Sequence, residues 1–200
     1  MSVGRRARGL HRRAAVRALL EHRGELLVVA GLGAPAWDVT AAGDHPLTFP
    51  LWGAMGGAAM MGLGLALAQP RRRVLVVTGD GEMLMGLGSL ATIAVQRPRN
   101  LVLVVLDNER YGETGMQKTH TAYGVDLAGM AKAAGFPRVL RVTSAQGVAR
   151  LAAVVRGGGA GPVFAQVKVL NEQLPLVLPP KDGVLLKARF RAALAHEKRG

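Results

Sequence analysis

Hydrophobic residues fall along this chain in blocks of two kinds. Val74-Leu75-Val76-Val77-Thr78 and Leu101-Val102-Leu103-Val104-Val105-Leu106 are continuous apolar runs, the pattern of strands buried on both faces of a parallel sheet. Leu26–Ala30, Arg138–Val142 and Val163–Val169 read as further strands of the same type. The second kind repeats at helical spacing: His11–Glu21 carries Ala14, Ala15, Ala18 and Leu19, and Asp126–Ala134 and Ser144–Val155 are similar. Ala58–Ala68 is a small-residue segment of helix length stopped by Gln69-Pro70. Glu82–Gln96 predicts one helix between the two central strands, and Arg97-Pro98-Arg99-Asn100 turns the chain back. Strand, helix and strand in so short a length imply a right-handed parallel crossover. The expected fold is α/β, a doubly wound, mainly parallel sheet with helices on both faces.

Met1–Arg8 reads as a disordered basic start and Gly157–Gly161 as a flexible connector. Trp37, Asp38, Asp44 and His45 are expected in a long polar loop. After Asn171, Leu174-Pro175-Leu176-Val177-Leu178-Pro179-Pro180 is held extended by its prolines, and Lys181–Glu197 predicts a basic helix. The organisation is a basic segment and helix over 1–24, one main domain over 25–170, and a C-terminal segment over 171–200, without repeats.

Composition narrows this picture. Half of the 200 residues are hydrophobic, enough for a sizeable core. There is no cysteine, which rules out disulfides and cysteine-ligated clusters in this chain and fits a cytoplasmic protein. No apolar run approaches the roughly 20 residues of a membrane span, and no apolar segment with a cleavage site follows the basic start. The net charge of +13 would favour a polyanion. Its distribution argues against nucleic acid, because the arginines gather in the first 23 residues, at Arg71–Arg73 and in the tail, with four Phe, two Tyr and two Trp to stack on bases. Gly31-Leu32-Gly33-Ala34-Pro35-Ala36 superficially fits a dinucleotide fingerprint, but Pro35 and the lack of an acidic residue ending the next strand favour an ordinary strand-to-helix turn.

The chemistry lies where the two continuous runs stop. One ends in Gly79-Asp80-Gly81-Glu82, the other in Asp107-Asn108, which places oxygen donors at the carboxyl edge of a parallel sheet, where ligands bind. Magnesium takes a few protein oxygens and completes its shell with substrate phosphates. Asp80, the Asn108 amide and a nearby main-chain carbonyl can supply the protein share. Glycines on both sides of Asp80 let a phosphate approach the turn, and the following helix start offers free N–H groups.

Gly-Asp-Gly followed, after a helix and a strand, by Asn resembles the motif of thiamine diphosphate-dependent enzymes. Trp52-Gly53-Ala54-Met55-Gly56 and Tyr111-Gly112-Glu113-Thr114-Gly115-Met116-Gln117 extend the likeness over about residues 25 to 170. The resemblance implies that this is the diphosphate-binding domain. Gly53 would offer its carbonyl to the aminopyrimidine, Ala54 would lie beside it, and Met55 would wedge between the cofactor's rings. Asp80 and Asn108 would bind magnesium by side chain and Arg110 by its main-chain oxygen. Gly79, Gly81, Glu82 and Tyr111 would complete the diphosphate site, with Gly81 and Glu82 presenting N–H groups. Glu82 departs from the small or hydroxyl residue common there, so its carboxylate should point away from phosphate or reach the metal through water. Asp107 stands where many relatives have Asn.

In these enzymes a glutamate on a separate pyrimidine-binding domain activates the cofactor, and the resemblance implies that this chain carries the diphosphate-binding half alone. The resemblance therefore implies a hetero-oligomer in which an unlike subunit supplies that glutamate, with no certain catalytic residue here and no activity for the chain alone. Within the family the chain is most similar to the beta subunits of sulfopyruvate decarboxylases and the C-terminal part of phosphonopyruvate decarboxylases, which release carbon dioxide from a 3-substituted pyruvate. Glu113, Lys118 and His120 follow the metal loop and are candidate contacts for a small anionic 2-oxoacid. Alternatives are the beta subunit of a 2-oxoacid:ferredoxin oxidoreductase, an acetolactate synthase-like carboligase, and, outside enzymes, a non-catalytic cofactor-binding or basic nucleic-acid-binding protein.

Overall fold

The structure, a computed structural model, describes residues 9–157 and 161–195. The basic start Met1–Arg8, the centre of the Gly157–Gly161 connector and the end of the tail helix lie outside these residues. In chain order the elements are α1 (Arg12–Leu20), β1 (Leu27–Ala30), α2 (Ala34–Ala41), β2 (Thr48–Pro50), α3 (Ala58–Ala68), β3 (Val74–Gly79), α4 (Asp80–Met85), α5 (Ser89–Gln96), β4 (Leu101–Asp107), β5 (Arg110–Tyr111), β6 (Gln117–Lys118), a 3₁₀ turn (His120–Tyr123), α6 (Leu127–Ala134), β7 (Arg138–Val142), α7 (Ala145–Arg156), β8 (Val163–Lys168) and α8 (Gly183–Ala195).

Six strands form one parallel sheet in the order β2-β1-β3-β4-β8-β7, and β5 with β6 makes a small antiparallel hairpin. The continuous apolar runs are explained by where their side chains go. Alternate residues of a strand point to opposite faces. Leu75, Val77, Val102 and Val104 meet α1, α2 and α7 through Val16, Leu19, Val39 and Leu151, whereas Val74, Val76, Leu101 and Leu103 meet α3, α5 and α6 through Leu63, Ile93 and Leu127. Both faces are therefore covered, which is the doubly wound arrangement. β3 and β4 pair from Val74↔Leu101 to Gly79↔Leu106, so both end at the same edge. Among the described residues no helix is long and apolar enough to cross a membrane.

Three sequence expectations are corrected. Glu82–Gln96 is two helices, because Gly86-Leu87-Gly88 separates α4 from α5. A Cβ on Gly86 would stand 2.2 Å from the Gly56 carbonyl oxygen, so the chain breaks where it touches the loop before α3. Trp37 and Asp38 are not in a loop but in α2, which Pro35 enters in its first turn, a position where its missing N–H costs nothing. Asp44 and His45 follow that helix. The edge strand β2 is absent from the hydrophobic pattern, being three residues long with a proline, a residue tolerated at sheet edges.

The tail crosses the carboxyl edge of the sheet. It leaves β8 beside Leu10, which bridges Val169, and reaches Trp52, whose indole N–H donates to the Pro180 carbonyl at 2.8 Å. There α8 docks on β2: Phe190 packs edge-on against Phe49 at 5.7 Å, and Arg189 grips Asp44 with two hydrogen bonds of 2.6 and 2.9 Å. Much of the basic excess is structural. Arg12 and Arg72 are buried, Arg23 donates to Thr48 and to the Leu26 and Leu47 carbonyls, and Arg73 donates to the carbonyls of Val154 and Val155. Guanidiniums committed to carbonyls do not form a free basic stripe.

Candidate functional site

At the carboxyl edge of β3 and β4 lies a cavity of about 610 Å³. Nine of the residues singled out in the sequence line it: Met55, Gly79, Asp80, Gly81, Glu82, Asn108, Arg110, Tyr111 and Glu113. Gly53 and Ala54 are exposed on the loop that carries Met55, and Ala54 has a left-handed backbone, φ 56°. Lys118 and His120 are not in the wall. The Lys118 ammonium sits 5.6 Å from the Tyr123 ring centroid, and His120 is exposed in the 3₁₀ turn, so of the three candidate substrate contacts the cavity takes only Glu113 in this chain.

Asp80 opens α4 at 2% exposure. Its carboxylate accepts hydrogen bonds from the hydroxyls of Thr119 and Thr121, and no cation is paired with it among the described residues. Burial raises its pKa to about 6, against the Thr119 and Thr121 hydrogen bonds and with further upward pressure from the nearby Asp107 charge. A buried carboxylate held by neutral hydroxyls is a ready partner for a cation. Because α4 has six residues, its dipole is small. The first-turn N–H groups of Gly81 and Glu82, rather than the long helix expected, are what this turn offers an anion.

Asn108 lies across from Asp80, one residue past the end of β4. Its Oδ1 accepts the Arg110 N–H at 3.0 Å, a local tie that fixes the amide while Glu109 takes φ 62°. Among the described residues no three His, Cys, Asp or Glu side chains gather as a metal cluster. A hard cation here needs one carboxylate, an amide, main-chain oxygen and oxygens from its own ligand, the donor set of a magnesium–phosphate site. The residues present fit that group.

Glu82 is turned toward the sheet. Thr78 Oγ1 donates to its Oε2 at 2.7 Å and Leu32 N at 3.1 Å. Burial pushes its pKa up, partly offset by these bonds. The contact explains Gly31, where a Cβ would stand 2.0 Å from Glu82 Oε2. Gly81 has a similar constraint, because its Cβ would fall 2.4 Å from the Tyr111 ring.

Several contributors carried no signal in the sequence. Thr119 and Thr121 lie in a stretch that is otherwise an ordinary polar loop, and only the fold brings them onto Asp80. Asp107 is wholly buried and points away from Asn108: it accepts from Thr121 at 2.8 Å, Gln166 Nε2 at 2.6 Å, Lys168 Nζ at 3.0 Å and Glu109 N at 3.2 Å. Arg12, Trp37 and the tail residues from Asn171 to Leu174 also line the cavity. All but Trp37 lie far from the motifs in sequence.

Comparison with known proteins agrees with this geometry. The sequence pattern described as "Thiamine pyrophosphate enzyme, C-terminal TPP binding domain" matches residues 33–167. Sulfopyruvate decarboxylase subunit beta of Methanocaldococcus jannaschii is 34% identical over 181 residues, covering 90% of this chain and 94% of that one. Phosphonopyruvate decarboxylase of Streptomyces viridochromogenes is 44% identical over 128 residues, covering 64% of this chain and 32% of the relative. Among solved structures, benzoylformate decarboxylase from Polynucleobacter necessarius superposes with a TM-score of 0.67 at 21% identity, over 88% of this chain and 36% of that one, a likeness of fold.

Proposed function

The chain belongs to the thiamine pyrophosphate enzymes through their C-terminal cofactor-binding domain, and from that membership we propose that it is the thiamine diphosphate- and magnesium-binding subunit of a two-subunit 2-oxoacid decarboxylase. Its proposed substrate is a 3-sulfo- or 3-phosphonopyruvate-like acid, released as an aldehyde and carbon dioxide. The observation that carries the reading is Asp80, a buried carboxylate with no cationic side chain paired to it among the described residues, in the same cavity wall as Asn108, which follows the neighbouring strand β4. Likeness to a sulfopyruvate decarboxylase beta subunit over nearly its whole length supports the choice of reaction.

Bound thiamine diphosphate supplies the carbon nucleophile and electron sink for loss of carbon dioxide. The chain's residues hold and orient it. Asp80 and Asn108 bind the magnesium with their side chains and Arg110 with its main-chain oxygen. Gly81 and Glu82 direct N–H groups at the diphosphate, and Tyr111, stacked on Gly81, keeps that turn in place. Gly53 would offer its carbonyl to the aminopyrimidine, and Met55, in the cavity wall, would support the cofactor's rings. Thr119 and Thr121 fix the Asp80 carboxylate, so that it need not reorganise when the metal arrives.

The partner is an unlike subunit carrying the pyrimidine-binding domain and the activating glutamate. Two features support this. The Trp52–Met55 segment is exposed in the single chain, and α3 and α5 turn Met60, Met61, Leu67 and Val95 outward with no charged residue in either helix. Large uncharged apolar faces mark association surfaces. The test is decarboxylation of 3-sulfopyruvate and 3-phosphonopyruvate by the purified chain, with and without an unlike subunit that carries the pyrimidine-binding domain. Turnover that requires both chains, magnesium and thiamine diphosphate is expected. Full turnover by the single chain would contradict the split-enzyme reading.

A further inference from the structure

Arg12 lies outside the matched family region yet contributes to the cavity wall. It is 6% exposed. Its Nε donates to Asp38 Oδ2 at 2.6 Å and its Nη1 to the Glu172 carbonyl at 2.9 Å. Among the described residues its Nη2 has no hydrogen-bond partner. Asp38, at 0% exposure, also accepts from Arg13 Nε at 3.0 Å, so one carboxylate faces two guanidiniums. The acid of the tail is committed as well: Glu172 takes His11 Nδ1 at 2.8 Å and the Arg12 main-chain N–H at 3.0 Å. Arg13 Nη2 in turn donates to the Pro175 carbonyl at 2.9 Å.

A guanidinium is planar, permanently charged and rigid in the placement of its donors. Held on one side by Asp38 and on another by a carbonyl, Arg12 has its plane fixed and one nitrogen left over on a side chain that lines the cavity. A buried cation with a spare donor is matched by an anionic oxygen, and carboxylate, phosphate and sulfonate groups all have the geometry for it. On the cofactor reading given above, we infer that Arg12 is an oxyanion contact of this cavity, positioned by Asp38. The oxyanion is either the cofactor's terminal phosphate or the acid group of the 2-oxoacid. Glu172 and Glu113 share the wall, and the fixed orientation of Arg12 is what directs an anion to it rather than to them.

The test is calorimetric titration of the full chain and its Arg12→Gln, Arg12→Lys and Asp38→Asn variants, with folding checked by circular dichroism. The first titrant is thiamine diphosphate with magnesium. The second is phosphonoacetate, a dianion that cannot be decarboxylated, added to chain saturated with the cofactor. Arg12→Gln is expected to weaken at least one titrant by roughly tenfold or more, with Arg12→Lys recovering part of the loss and Asp38→Asn losing less than Arg12→Gln. Loss confined to thiamine diphosphate assigns the phosphate; loss confined to phosphonoacetate assigns the substrate acid. Where the wild type binds no phosphonoacetate, the cofactor titration decides alone. Both affinities within twofold of wild type in a folded Arg12→Gln, or in Arg12→Lys if the glutamine variant does not fold, would overturn the inference. A wild-type chain that binds no thiamine diphosphate, either alone or together with the unlike subunit, would instead defeat the function proposed above, before any variant is compared.

Discussion

Asp80, directly after β3, and Asp107, at the end of the adjacent β4, are both almost fully buried and both accept a hydrogen bond from Thr121, yet their surroundings are opposite. Asp107 has an ammonium, an amide, a hydroxyl and a main-chain N–H around it. It ties β4 to β8 and to the 3₁₀ turn and faces a separate, smaller pocket beside Thr121, Gln166 and Lys168. Asp80 has two hydroxyls, and its carboxyl is lifted to about 6 by burial. The first acid is satisfied by the protein and works for the fold. The second is satisfied by nothing in the described chain that carries charge, and that deficit is the mark of the site.

Breaking each acid should separate the two roles. Asp107→Ala leaves the buried Gln166 amide without its acceptor and the part-exposed Lys168 with Glu109 alone, at 2.6 Å, and each buried polar group left unsatisfied costs about 1 to 3 kcal/mol. Chemical denaturation should show that loss at neutral pH. Asp80→Asn should do the reverse. A folded-state pKa raised above the ordinary 3.8 to about 6 means the folded chain holds this proton more tightly than the unfolded one. Stability is therefore full below about pH 4 and falls as pH rises through about 6, by up to about 3 kcal/mol. Without cofactor, Asp80→Asn should be more stable than wild type by about that amount at pH 7 and no different near pH 4. Glu82, also raised, adds a slope of the same sign that the substitution leaves in place.

Smaller changes sharpen the same contrast. Gly81→Ala puts a methyl into the Tyr111 ring, and overpacking of this kind costs about 1 to 3 kcal/mol. It should weaken thiamine diphosphate binding more than it lowers the melting temperature, because the displaced ring lies over the diphosphate turn and not in the core. Trp52→Phe removes one hydrogen bond to Pro180, worth about 1 kcal/mol. Its effect should appear as faster hydrogen exchange over 174–182 with little change in cofactor affinity.

What the sequence revealed and what it hid follows from the range of the forces involved. Unbroken runs such as Leu101–Leu106 disclose a parallel sheet because burial on both faces leaves no alternative composition. That Gly79-Asp80-Gly81 and Asn108 share one cavity was legible because each follows a continuous apolar run, and paired parallel strands end at one sheet edge. The break at Gly86-Leu87-Gly88 was not, since its cause is the Gly56 carbonyl on another segment. Asp38 read as a loop acid because its partners, Arg12 and Arg13, lie across a helix–helix contact. Thr119 and Thr121 support Asp80 from a turn whose position only the folded chain defines. Glu113 reached the cavity wall while Lys118 and His120, in the same stretch, did not, because Lys118 on β6 lies against the Tyr123 ring and His120 is exposed in the 3₁₀ turn that follows.

The contrast between the two acids rests on Asp80 awaiting a cation brought with the cofactor. Calorimetric titration of thiamine diphosphate into the full chain, with magnesium and then with a chelator, in wild type and Asp80→Asn, addresses this directly. Binding that appears only with magnesium and disappears in the folded Asp80→Asn chain is the predicted result. Binding of equal affinity without magnesium, or unchanged in Asp80→Asn, would contradict it.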